Sequence, residues 1–160
     1  MEAGTAPVAS KTIAVEINGT TYEREVEARK LLIHFIRDDL DLIGSHIGCD
    51  TGNCGACSVI VDGTLVKSCM MLAIQADGAK IETVEGLAED GELNALQQAF
   101  SDHHALQCGY CTPGMLMSAT ALFRQNGSPS DEEIRRGIQG NICRCTGYVN
   151  IVEAIRAAAQ

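Results

Sequence analysis

Tryptophan is absent, and three Phe and three Tyr are the only large aromatics among 160 residues. Any core must therefore be built from aliphatic side chains, for which an apolar fraction of 46% is ample. Basic residues are also scarce, 12 Lys and Arg against 21 Asp and Glu, and the net charge of -9 argues against nucleic acid or an anionic membrane as a partner. No apolar run approaches the roughly 20 residues that span a bilayer, and the amino terminus lacks a basic region followed by an apolar core. A soluble, cytoplasmic protein is expected, with no membrane-spanning segment. There is no phosphate loop, no Gly-x-Gly-x-x-Gly after a strand and no Ser/His/Asp grouping. The chain supplies no catalytic set of its own, and no internal repeat is visible.

Cysteine is plentiful. All eight fall into two sets of four, Cys49, Cys54, Cys57 and Cys69, then Cys108, Cys111, Cys143 and Cys145. The spacing Cys-x4-Cys-x2-Cys followed by a distant fourth Cys is the plant-type pattern for a [2Fe–2S] centre, in which one loop gives three thiolates and another segment closes the site. The second set joins a Cys-x2-Cys pair to a Cys-x-Cys pair across 31 residues. It too offers four thiolates, in a less specific order, and zinc remains open there because four-cysteine zinc sites commonly use Cys-x2-Cys pairs. In a reducing cytosol eight cysteines suit metal ligation better than disulfides, and a chain of this length needs no covalent staples.

Each set occupies its own half of the chain. The acidic, glycine-punctuated stretch around Gly86 to Gly91 reads as a linker, so residues 1–10 are expected to form a mobile tail, 11–85 one domain and 86–160 a second. In the first, apolar alternation on either side of Asn18-Gly19 predicts a hairpin over Lys11 to Glu27. Leu31, Leu32, Phe35, Ile36 and Leu40 follow at helical spacing, with Arg37, Asp38 and Asp39 on the wet side. Ser58 to Val61 and Thr64 to Lys67 flank Asp62-Gly63 as another hairpin, and Lys80 to Val84 reads as a further strand. A small mixed sheet packed on one helix results. The second half switches to helical period: one helix around Leu93 to Phe100, one from Pro113 to Arg124 stopped by a left-handed residue at Asn126-Gly127, one over Asp131 to Ile138, and one over Ile151 to Ala159. Ser130 with Glu133, and Asn150 with Glu153, have capping-box spacing for the last two.

A [2Fe–2S] core needs close backbone approach, and the small residues of Gly48-Cys-Asp-Thr-Gly-Asn-Cys-Gly-Ala-Cys57 allow it, with Gly52 and Gly55 free to adopt conformations closed to residues bearing a Cβ. Cys111 lies two residues before Pro113, at an expected helix start, where partial positive charge favours a thiolate.

These strings, with Gln107-Cys-Gly-Tyr-Cys-Thr-Pro-Gly114 and Gly140-Asn-Ile-Cys-Arg-Cys-Thr-Gly-Tyr148, resemble the iron–sulfur subunit of molybdenum hydroxylases, the xanthine dehydrogenase and aldehyde oxidoreductase family, over about residues 11–159. Within it, His34-Phe-Ile-Arg37, His46-Ile-Gly-Cys-Asp50, Val66-Lys-Ser-Cys69 and Gln75-Ala-Asp-Gly78 look most similar to the small subunit of aerobic carbon monoxide dehydrogenase; enzymes that hydroxylate N-heterocycles or aldehydes share most of them. The resemblance implies an α+β chain, a β-grasp ferredoxin-like domain followed by a four-helix domain, each with a [2Fe–2S] cluster. It implies electrons leaving a molybdopterin centre, of the cytosine dinucleotide form, on a large subunit and reaching FAD on a medium subunit, in a dimer of heterotrimers. By position, Cys108, Cys111, Cys143 and Cys145 would hold the cluster nearer the pterin, and Cys49, Cys54, Cys57 and Cys69 the one nearer the flavin. Gln107 would hydrogen-bond the pterin and Cys145 would lie closest to it. The gap of 11 residues between Cys57 and Cys69 is short for a plant ferredoxin and agrees with the bacterial hydroxylase subunits.

Read without the family, Gln107 is a surface loop amide. His34, His46, His103 and His104 are expected as helix or loop residues rather than ligands, since cysteine fills both sites. Met70, Met71, Met115 and Met117 read as core and interface filler, and Arg144 either tunes a cluster by its charge or pairs with an acidic neighbour. A free-standing two-cluster carrier and a zinc-stabilised module are the competing readings.

Overall fold

The computed structural model describes residues 8–88 and 90–159. Residues 1–7 of the expected tail lie outside the described residues, and Ser10 already belongs to the first strand.

Strands β1 (Ser10–Ile17) and β2 (Thr20–Glu27) form the expected hairpin. Asn18 and Gly19 take φ of 50° and 80° at its turn, a tight connection that follows the twist of the strands. Alternation then buries Ile13, Val15 and Ile17 on one face of β1 while its partner strand stays mostly wet. Strands β3 (Ser58–Val61) and β4 (Thr64–Lys67) pair through Asp62-Gly63, and the short β5 (Lys80–Glu82) enters between hairpins, parallel to β1 and antiparallel to β3. The sheet order is β2-β1-β5-β3-β4. Against it packs a short helix, α1 (Leu32–His34), whose Leu32 and Ile33 are buried together with Phe35 and Ile36 beyond it.

Among the described residues the second half contains four α-helices, α2 (Ala95–Asp102), α3 (Thr112–Gln125), α4 (Asp131–Ile138) and α5 (Val149–Ala158). Phe100, Met115, Met117, Ile134, Ile151 and Ile155 fill their core, and full burial contributes about 1.5–3 kcal/mol for each large side chain. The architecture is the α+β arrangement expected from the sequence. Among the described residues no helix is long and apolar enough to cross a membrane.

Strand β3 joins the halves. All four of its residues are buried, and its period of two sends Val59 and Val61 into the sheet core and Ile60 into the helical core. Helix α3 lies over this strand. At its far end Arg124 makes a two-pronged ion pair with Glu82 of β5, Nη1 to Oε1 at 2.7 Å and Nη2 to Oε2 at 2.6 Å.

Several local expectations need correction. The helical spacing over 31–40 resolves into one α-turn continued by a π-turn over Phe35–Asp39. Apolar spacing over so few residues records which face is buried and leaves no trace of whether the ladder is i→i−4 or i→i−5. Strand β5 stops at Glu82, because Val84–Leu87 coils into a 3₁₀ turn. Helix α3 ends with Asn126 extended at φ -146°, its side chain accepting from Ser128 N–H as the chain turns away. The Ser130–Glu133 box forms, but α5 starts at Val149 after a left-handed Tyr148, and the Asn150 amide donates to His104 O instead of capping. Asn94 and Gln97 form a capping box on α2 that the apolar spacing did not indicate.

The Glu82 carboxyl is held below its ordinary value of 4.5 by the Arg124 guanidinium. A carboxylate so depressed stabilises the fold above its ordinary value, and that contribution fades as pH falls through the folded value. Arg124→Met is therefore expected to cost about 0.5–1 kcal/mol at neutral pH, discounted for solvent screening of this half-exposed pair. Denaturant midpoints of the two proteins should converge in acid.

Candidate metal centres

The first cysteine set sits on the loop between the π-turn and β3, closed by Cys69 on a 3₁₀ turn after β4. Asp50, Gly52 and Gly55 all have positive φ, which curls the loop inward. Three backbone amides point at Cys49 Sγ, from Thr51, Asn53 and Cys54 at 3.4, 3.3 and 3.2 Å. The Thr51 hydroxyl, then the Cys54 and Thr51 amides, lower the Cys49 thiol to about 6. Burial pushes Cys69 up to about 11, reinforced by its contact with Cys57. A Cβ on Gly48 would lie 2.8 Å from Cys54 Sγ, so this position is confined to glycine by the sulfur itself.

In the second set Cys111 occupies the N-cap of α3, with Pro113 in the first turn, as the sequence predicts. Cys143 is buried, and Cys108 and Cys145 are exposed with their sulfurs 3.6 Å apart. Burial raises Cys111 to about 12, and its contact with Cys143 adds to this. Burial opposes ionisation of Cys143 too, yet the Thr146 hydroxyl and neighbouring amides outweigh it and lower that thiol. Cys145 is raised, chiefly by its hydrogen bond with Cys108. A cavity of about 200 Å³ is bounded by all four of these cysteines together with Cys54 and Gly48.

The thiols meet in pairs: Cys57 with Cys69, Cys111 with Cys143, Cys108 with Cys145. A binuclear cluster takes two thiolates on each iron, so the paired thiols of the second set, and the Cys57–Cys69 pair with the inward amides and glycine-only backbone of the first, fit such a group. Several of these thiols are disfavoured as anions without metal, so loading must release protons as the ligands ionise.

The two loops are bonded to each other. Ile142 N–H donates to Cys54 O at 2.8 Å, linking the residue before Cys143 to a cysteine of the other set. The His46 and Tyr110 rings stack with centroids 4.6 Å apart, while Tyr110 Oη–H donates to Ile47 O at 2.7 Å. Lys67 Nζ donates to Gly52 O at 2.8 Å and to Gly140 O at 3.0 Å. The seam leaves no space for side chains. A Cβ on Gly55 would fall 2.0 Å from Asn141 Oδ1, and one on Gly114 would fall 2.1 Å from Gly55 O.

Gln107 is exposed, and its amide donates to Cys145 O at 3.2 Å, so these two residues share one rim with Cys108. His34 contacts Asp38, His103 and His104 follow the end of α2, and His46 belongs to the seam through Tyr110. Met115 and Met117 are core residues, whereas Met70 is exposed over Gly52. Arg144 is exposed and makes no ion pair among the described residues. Nothing in the local sequence marks Lys67, His46 or Tyr110 for the seam, because each acts on a residue far away along the chain.

A family model described as a 2Fe-2S iron-sulfur cluster binding domain matches residues 15–88, and one described as a [2Fe-2S] binding domain matches residues 83–156. The chain is 52% identical over 156 residues to the caffeine dehydrogenase subunit gamma of Pseudomonas sp. (strain CBB1), covering 95% of this chain and 93% of the other. It is 52% identical over 143 residues to the nicotine 6-hydroxylase small subunit of Paenarthrobacter nicotinovorans, covering 89% and 86%. Quinoline 2-oxidoreductase from Pseudomonas putida 86 contains a chain that superposes with a TM-score of 0.91 at 47% identity, covering 94% of each.

Gly114→Ala drives a Cβ into the Gly55 carbonyl and is expected to destabilise the protein by about 2–3 kcal/mol, the scale of overpacking against a backbone that cannot retreat. Thermal denaturation with iron content measured alongside checks this; an unshifted midpoint would mean the seam is looser than its geometry.

Proposed function

Because this chain belongs to the iron–sulfur (small) subunits of the molybdenum hydroxylase family, we propose that it passes electrons from a molybdopterin centre on a large subunit to FAD on a medium subunit, in a complex acting on N-heteroaromatic substrates. Electrons leave substrate oxidation in pairs, and two [2Fe–2S] clusters, when bound, would supply two one-electron sites. The ligand sets are Cys49, Cys54, Cys57 and Cys69, and Cys108, Cys111, Cys143 and Cys145. We divide the chain near residue 86, into 11–85 and 86–160, in keeping with family matches that meet between residues 83 and 88.

The observation that carries this reading is the hydrogen bond from Ile142 to Cys54, which makes the two cysteine loops one bonded path. Gln107, Cys108 and Cys145 form the exposed end of that path and would face the pterin, with the Gln107 amide and Cys145 touching it. A soluble diffusing carrier would keep such a rim polar, but Leu106, next to Gln107, and Tyr110 and Ile142, beside Cys108 and Cys145, are exposed, which favours a covering subunit. The assembly we infer is a cytoplasmic dimer of heterotrimers. What supports the compartment is eight cysteines with no disulfide among the described residues, which suits a reducing medium.

The named relatives act, by their names, on caffeine, nicotine and quinoline, all nitrogen heterocycles. This favours the N-heterocycle reading over carbon monoxide, which the His34, His46 and Val66 strings suggested. Mixing the purified complex anaerobically with quinoline, nicotine, caffeine, an aldehyde or carbon monoxide, while following the visible absorption of the clusters, separates the two. Bleaching by a heterocycle is expected; bleaching by carbon monoxide alone would return the chain to the other subfamily.

Cys54→Ser and Cys111→Ser test the ligand sets. Each should lose one of the two reduced-cluster resonances, a different one in each variant, with about half of the iron. A variant that keeps both resonances would refute its set.

A further inference from the structure

We propose that Lys67 is a positioning residue of electrostatic kind: its ammonium clamps both cysteine loops and raises the reduction potential of the centre bound by Cys49, Cys54, Cys57 and Cys69. The inference rests on the two-cluster reading above.

The chain has four lysines, and three of them meet carboxylates: Lys11 with Asp77, Lys30 with Asp39, Lys80 with Glu16. Lys67 has no carboxylate partner among the described residues, although acidic side chains outnumber basic ones 21 to 12. It is half-buried at the end of β4, two residues before Cys69, and its contacts are the carbonyls of Gly52 and Gly140. A cation drawn out of water without a counter-charge is costly, and carbonyl dipoles offset only part of that cost. An all-thiolate [2Fe–2S] centre carries net negative charge, and one on either side of Lys67 would provide the missing partner.

The wiring reaches the sulfurs through the backbone. Gly52 C=O and Asn53 N–H belong to one peptide unit, whose oxygen receives Lys67 Nζ and whose N–H donates to Cys49 Sγ at 3.3 Å. A cation on the oxygen polarises that peptide and strengthens the donation at its other end. On the Gly140 side the bonded peptide runs through Asn141 N–H to Ile138 O, so no comparable relay reaches a sulfur. The effect is therefore asymmetric. Positive charge favours the more reduced, more negative state of a nearby centre, so its removal lowers the potential of the first-set centre most.

The test is a redox titration of the complete complex, followed by electron paramagnetic resonance, for wild type, Lys67→Gln and Lys67→Arg. Glutamine keeps a donor and removes the charge, whereas arginine keeps the charge. The first-set resonance of Lys67→Gln is expected to titrate at lower potential, the second-set resonance to shift less in the same direction, and Lys67→Arg to stay near wild type. If Lys67→Gln loses a resonance while Lys67→Arg retains both near wild-type potentials, the requirement for charge stands. Lys67→Gln titrating as wild type with both resonances present, or Lys67→Arg losing them as Lys67→Gln does, overturns the proposal and leaves Lys67 a fastener. A wild-type complex without cluster resonances would instead overturn the two-cluster reading, and this proposal with it.

Discussion

The contact between the two cysteine loops is the constraint on which everything else in this chain depends. Each loop must wrap its own set of thiols, yet the loops also meet backbone to backbone, at Ile142 and Cys54 and at Gly55 against Gly114 and Gly140. A side chain at Gly55 or Gly114 would push them apart. The halves are consequently locked by features that look local: β3 feeding two cores with alternate residues, α3 lying across it, and Arg124 reaching back to Glu82. Electron transfer between two centres depends steeply on their separation, so a rigid seam does for this chain what a catalytic constellation does for an enzyme.

Charge is the second organising quantity. The chain is acidic, and the centres it is built to hold add negative charge. Amides aimed at Cys49 and the Thr146 hydroxyl beside Cys143 each stabilise an anionic sulfur with dipoles rather than with cations. Lys67 is the exception, a full charge at the place where both loops come within reach of one side chain.

What the sequence revealed and what it withheld follow from distance along the chain. The first ligand set announces itself because three of its members share one glycine-rich loop, and the tight turns at Asn18-Gly19 and Asp62-Gly63 do so because positive φ demands those residues. The Ser130–Glu133 box is equally local. The seam was not legible. His46 and Tyr110 are separated by 64 positions, and Lys67 and Gly140 by 73, so no short pattern connects them. Asn150 has the spacing of a cap, yet its amide is used on the His104 carbonyl, a choice that only the packing of α5 against the end of α2 determines. Gln107 lies between these cases: the motif names the residue, while its bond to Cys145 O required the fold.

The central claim is that one chain holds two iron–sulfur centres on loops bonded to each other. Integrating the electron paramagnetic resonance of the anaerobically reduced complex against the concentration of this chain tests it most directly. The account predicts two distinct rhombic resonances of about one spin each per chain. An intact protein that carries zinc and gives no cluster resonance would contradict it.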